Sequence, residues 1–153
     1  MIRHALLLLA LVACGGDDGD SGPPPLFAEN YATTYQQVRN CRNSLEHGLR
    51  RIRVVVDAAA MTPYTDQVTP FPEGAVVLKV EYDDNDPMCT EDPIGFTVMK
   101  RLAAGTDPAN LDWAWQELDG DKKEVPTPVM RCVRCHEECI APPDGYVGTC
   151  TQP

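Results

Sequence analysis

The spacing of apolar residues along this chain predicts more strand than helix. Phe27, Tyr31, Tyr35 and Val38 recur three or four positions apart and predict an amphipathic helix from about Ala28 to Asn40. Ile52 to Val56 is β-branched and predicts a strand, and Ala58 to Thr65 suits a helical turn. Phe71-Pro72-Glu73-Gly74 then supplies turn chemistry, with proline presetting φ and glycine closing the turn. It precedes a strand over Ala75 to Tyr82. Phe96 to Leu102 and Leu111 to Leu118 alternate similarly, separated by Gly105, Asp107 and Pro108. A last helix is predicted to start near Thr127 or Pro128, because proline is tolerated in a first helical turn. This order of elements predicts an α+β fold: a mainly antiparallel sheet with flanking helices and a helix close to the C-terminus.

Lys79 interrupts the apolar strand Ala75 to Tyr82, and period-two alternation puts it on the face of Val77 and Glu81. Beside apolar neighbours a lysine has its neutral amine favoured by desolvation, which makes it a nucleophile. On a solvated face the same lysine would simply pair with Glu81.

The N-terminal residues are set apart from this pattern. Arg3 and His4 precede the apolar run Ala5 to Ala13, which ends Leu11-Val12-Ala13-Cys14. That is the arrangement of a lipoprotein signal peptide over residues 1–13, with Cys14 as the acylated first residue after cleavage. Nine apolar residues fall far short of the roughly 20 that span a bilayer. The expected location is therefore extracytoplasmic, on the periplasmic face of a bacterial membrane. Gly15 after the acylated cysteine carries no inner-membrane retention signal, which favours the outer membrane. Residues 14–25, rich in glycine, aspartate and proline, read as a tether, leaving 26–153 as one domain. The formal charge is −10, and −11 once Arg3 leaves with the signal. A general nucleic-acid binder would carry the opposite sign, so the charge argues against that class.

Composition alone names no chemistry, but Cys132-Val133-Arg134-Cys135-His136 does. Two cysteines three apart followed by histidine form the attachment signature of a c-type haem, with His136 as the iron ligand. On one helical turn both sulfurs can reach the two vinyl edges of one porphyrin. Two other readings exist: a zinc site of Cys132, Cys135, His136 and Cys139, or plain disulfides. Zinc is disfavoured because Cys135 and His136 are adjacent and no second ligand pair is present. With Cys14 lipidated and two thiols on haem, Cys41, Cys89, Cys139 and Cys150 remain, an even number in an oxidising compartment. The favoured disulfides are Cys41 with Cys89 and Cys139 with Cys150, the second stapling the short tail onto the haem helix.

Ile52-Arg53, the block Phe71-Pro72-Glu73-Gly74-Ala75-Val76-Val77-Leu78-Lys79, Trp113-Ala114-Trp115 and the closing Cys132-x-x-Cys135-His136 together resemble the cytochrome P-460 family, from about Tyr31 to His136. The resemblance implies a β-rich dimeric fold and a covalent haem c whose macrocycle is also crosslinked to a lysine, here Lys79. It further implies oxidation of hydroxylamine to nitric or nitrous oxide at a five-coordinate iron, with electrons passed to an acceptor protein. Glu81 is the candidate proton acceptor by strand parity, and Arg53 a candidate for the distal side or a haem propionate. Tyr146 stands where an aromatic tail would close the pocket.

The related cytochromes c-prime-beta lack the crosslink and bind nitric oxide without turnover. That leaves a second expectation, a non-catalytic haem protein that binds nitric oxide or transfers electrons. In an electron carrier, Met88, Met99 or His47 would supply a sixth ligand.

Overall fold

The computed structural model describes residues 22–45, 47–141 and 145–150. The signal segment 1–13, Cys14 and the tether up to residue 21 lie outside the described residues. The elements in order are α1 (Tyr31–Thr34), β1 (Gln36–Asn43), β2 (Arg51–Val56), α2 (Met61–Asp66), β3 (Val76–Tyr82), β4 (Gly95–Arg101), β5 (Trp113–Asp119) and α3 (Val129–His136). A 3-10 turn at Pro108–Asn110 precedes β5. The five strands form one antiparallel sheet in sequence order, β1-β2-β3-β4-β5. The α+β expectation is met, with one strand more than the sequence predicted.

That extra strand replaces most of the helix expected over Ala28 to Asn40. The helix is a single turn, Tyr31–Thr34, after which Gln36–Asn43 runs as an edge strand on β2. The apolar residues that suggested a helix are divided between the two faces of the sheet. Tyr31 and Tyr35 pack beside the cluster containing Phe27 and Phe96, whereas Val38 packs against the cluster containing Val54 and Met99. Pairing with β2 outweighs the local spacing, and two register shifts let β1 follow the curve of the sheet.

The remaining strands keep strict register, so each face can be read as rows. Val54, Lys79, Thr97 and Glu117 form one cross-strand row, flanked by Val56-Val77-Met99-Trp115 and by Ile52-Glu81-Gly95-Asp119. On the opposite face Val55, Leu78, Val98 and Gln116 form a row beside Arg53, Val80, Phe96 and Leu118. Phe27, Leu78, Val80, Phe96, Val98 and Leu118 are buried there as one core cluster. The Cys41–Cys89 disulfide sits at its margin.

The end of the tether is part of this packing. Leu26 N–H donates to Gln116 Oε1 at 2.9 Å, and Gln116 Nε2 donates to the Pro24 carbonyl at 3.3 Å. These two bonds tie Pro24 and Leu26 to β5.

Candidate functional site

Under the row Val54-Lys79-Thr97-Glu117 lies a cleft of about 300 Å³, at the lower end of the usual range for small-molecule sites. Strand residues Val77, Lys79, Glu81, Thr97, Met99, Trp115 and Glu117 line one side of it. Helix α3 contributes Arg131, Cys132, Cys135 and His136. The loop joining β1 to β2 adds His47, Gly48 and Arg50.

Helix α3 is short because Pro128, extended at ψ 120°, starts it as N-cap. Val133 and His136 are its buried residues and hold it to the domain. Cys132 and Cys135 are free thiols, half-buried and exposed respectively. Burial, aided by the Glu117 carboxylate, raises the Cys132 pKa, so the thiol stays protonated at neutral pH.

His136 is only 5 % exposed. Its ring lies edge-on to Trp115 with centroids 4.8 Å apart, and its Nδ1 is hydrogen-bonded to the Gly148 carbonyl. A carbonyl can only accept, so Nδ1 carries the proton and Nε2 is left with a free lone pair. Burial first, and the Lys79 charge second, lower the His136 pKa to about 4. The imidazole is therefore neutral at physiological pH, the state in which histidine binds a metal.

A polar network faces this helix from the sheet. Glu81, 3 % exposed, accepts from Arg50 Nη1 at 2.5 Å and from the Thr97 hydroxyl. Gly95 lies directly opposite Glu81 in the register, and a Cβ there would come within 2.9 Å of Arg50 Nη1. The missing side chain gives the guanidinium its space. Lys79 Nζ is 2.7 Å from His47 Nε2. Burial, followed by the charge of Lys79, lowers the His47 pKa to about 3, so the neutral ring accepts a hydrogen bond from the lysine ammonium. His47 Nδ1 lies 3.9 Å from Glu81 Oε1, too far for a hydrogen bond.

The structure thus brings Lys79, Glu81, Cys132, Cys135 and His136 around one cleft, and it does not bring Arg53. Arg53 pairs with Val80 on the opposite face, donates to the Met88 carbonyl at 3.1 Å and lies over the Tyr82 ring. The arginine in the cleft is Arg50. Strand parity could have indicated it, since Arg50 shares the alternation of Ile52, Val54 and Val56, which in register face the side of Lys79. His47 carried no such signal because it sits in a loop. Among the expected alternative ligands, Met99 and His47 line the cleft, whereas Met88 is 67 % exposed and its carbonyl serves Arg53.

Tyr146 does not close the cleft. Its hydroxyl donates to the Val68 carbonyl at 3.0 Å and its ring packs near Phe71. The zinc alternative also fails. Cys139 is bonded to Cys150, and among the described residues no three His, Cys, Asp or Glu side chains converge as ligands for a metal ion.

The donor set instead fits a haem. Two unpaired thiols three residues apart, a neutral histidine with Nδ1 already satisfied and an apolar-to-polar cleft beside them are what such a group requires. Comparison with known proteins agrees. The sequence model of a family described as Cytochrome P460 matches residues 28–144. No curated protein sequence matches the chain.

Proposed function

The chain belongs to the cytochrome P460 family of haem proteins, and from that premise we propose that it is an extracytoplasmic lipoprotein that oxidises hydroxylamine to nitric or nitrous oxide. In this reading Cys132 and Cys135 form thioethers to the haem, and His136 Nε2 is the proximal ligand. Lys79 is the residue that would hold the porphyrin edge through a third covalent bond. When bound, the haem supplies an open iron face for a small nitrogen compound and a route for electrons to an acceptor protein.

The single observation that carries the proposal is the position of Lys79 and Glu81 on the sheet side of the cleft whose other side holds His136. Substrate oxidation releases protons, and of the two carboxylates that line the cleft, Glu81 and Glu117, we assign Glu81 to take them. Arg50 and Thr97 hold that carboxylate in one orientation, which fixes where a substrate N–H or O–H must lie. His47 accepts from the Lys79 ammonium and so holds Nζ at the wall of the cleft. Cys14 anchors the mature chain by lipid, with residues 15–25 as spacer and the domain on the periplasmic side.

The absorption spectrum tests the crosslink. The expected result is a strongly red-shifted ferrous Soret band that Lys79→Ala abolishes, together with steady-state oxidation of hydroxylamine using an artificial electron acceptor. An ordinary c-type spectrum without turnover would sink the enzymatic reading. One observation favours a second reading, an uncrosslinked haem protein that binds nitric oxide or transfers electrons. The Lys79 amine is engaged by His47, and both His47 and Met99 line the cleft as possible iron ligands.

A further inference from the structure

The chain after α3 turns back beneath His136. Cys139 N–H donates to the His136 carbonyl at 3.1 Å, and Gly148 N–H donates to the Cys139 carbonyl at 2.9 Å. The Cys139–Cys150 disulfide closes this return over a separation of eleven residues. Trp113 Nε1 donates to the Val147 carbonyl at 2.9 Å, fixing the neighbouring peptide from the side of the sheet. Gly148 itself has φ +72°, and a Cβ there would come within 2.8 Å of Leu111 Cδ1. The peptide is therefore held in a left-handed conformation that glycine adopts without strain. Its carbonyl is the acceptor of the His136 Nδ1 bond.

We propose that the Cys139–Cys150 disulfide is a positioning device for the iron ligand, holding the Gly148 carbonyl on His136 Nδ1–H and so setting the donor strength of Nε2. A ring nitrogen whose N–H is given to an acceptor makes the other nitrogen a stronger donor, and a stronger axial donor favours ferric over ferrous iron. Without the staple, the carbonyl is held only by noncovalent contacts of the returning segment. The second disulfide, Cys41–Cys89, borders the core on the other face and has no such connection. The inference rests on His136 being the proximal ligand.

The test compares three forms of the full-length haem-loaded protein: wild type, Cys139→Ser with Cys150→Ser, and Cys41→Ser with Cys89→Ser. The readouts are the midpoint potential and the iron–histidine stretching band of the ferrous state. Loss of the Cys139–Cys150 bond is expected to lower that frequency and to shift the reduction equilibrium about tenfold toward the ferrous form, roughly 59 mV for one electron. Loss of Cys41–Cys89 is expected to lower stability while leaving both readouts in place. Equal shifts in the two variants, or no shift in the first, overturn the proposal. If the first variant does not mature with haem, dithiothreitol treatment of the Cys41→Ser, Cys89→Ser protein, already reduced with dithionite, cleaves Cys139–Cys150 with Cys41–Cys89 absent and gives the same readouts. An unchanged band after cleavage of the bond then overturns it. His136→Gly distinguishes the underlying assignment: if it keeps the wild-type spectrum and potential, the ligand assignment fails, and the proposal with it.

Discussion

Leu78 and Lys79 are adjacent in β3 yet belong to two different environments. On the face of Leu78, the neighbours Val80, Phe96, Val98 and Leu118 are buried hydrocarbon that contributes stability by removal from water. On the face of Lys79, the same strands present Glu81, Thr97 and Glu117 to a cleft, and order comes from hydrogen bonds and charge. The same face also carries a second apolar cluster with Ile52, Val54, Val56, Val77, Met99 and Trp113, part of it in the cross-strand rows of Lys79 and Glu81. One face thus supports the fold while the other holds polar groups at some cost, because buried carboxylates and imidazoles need partners. The difference teaches that β3 must be rigid on one side for the other side to hold a site.

Substitutions on the two faces should therefore fail differently. Glu81→Gln is expected to lower hydroxylamine turnover by roughly 10²- to 10⁴-fold, the usual contribution of a positioned proton acceptor. Its unfolding midpoint should move far less than that of Leu78→Ala. Steady-state kinetics and denaturant unfolding of the same preparation check both statements, and an equal loss of stability would erase the distinction. Leu78→Ala, at a fully buried position, is expected to cost about 2–5 kcal/mol of stability, with the haem spectrum of the folded fraction unchanged.

Acid should discriminate the faces as well. His47 and His136 have folded pKa values of about 3 and about 4, below the ordinary 6.5. Between those values and 6.5 the unfolded chain binds more protons than the folded one, so stability rises with pH across that window. It is complete above 6.5 and is lost as pH falls toward about 4 and then about 3. Each histidine adds a slope of up to about 1.4 kcal/mol per pH unit. Urea unfolding of haem-free protein at a series of pH values should show the slope, and His47→Asn should flatten it. Gly95→Ala is a milder change, expected to push Arg50 off Glu81 and reproduce part of the turnover loss of Arg50→Ala. Arg53→Ala, on the other face, should leave spectrum and turnover untouched and change stability by no more than about 1 kcal/mol.

Much of this arrangement was legible because it is local. Alternation in Ala75 to Tyr82 assigns Lys79 and Glu81 to one face before any partner strand is known, and Pro128 marks the start of the last helix. The helix expected over Ala28 to Asn40 was misread for the converse reason. Phe27, Tyr31 and Tyr35 suit either a helix face or a turn followed by an edge strand, and only pairing with β2 decides between them. Arg53 was named without its partner strand, and parity within β2 says which residues share a face, not which face meets Lys79.

By itself the sequence determined the cofactor address, Cys132-x-x-Cys135-His136, and the pairing of Lys79 with Glu81 on one side of a strand, since both follow from backbone periods of a few residues. Tertiary structure decided the company those residues keep. Gly95 reached Glu81 through strand register, Arg50 reached Glu81 and His47 reached Lys79 through the loop before β2, and the Gly148 carbonyl reached His136 through a disulfide-closed return. Register and loop closure are settled by contacts far apart in the chain, for which local spacing carries no signal.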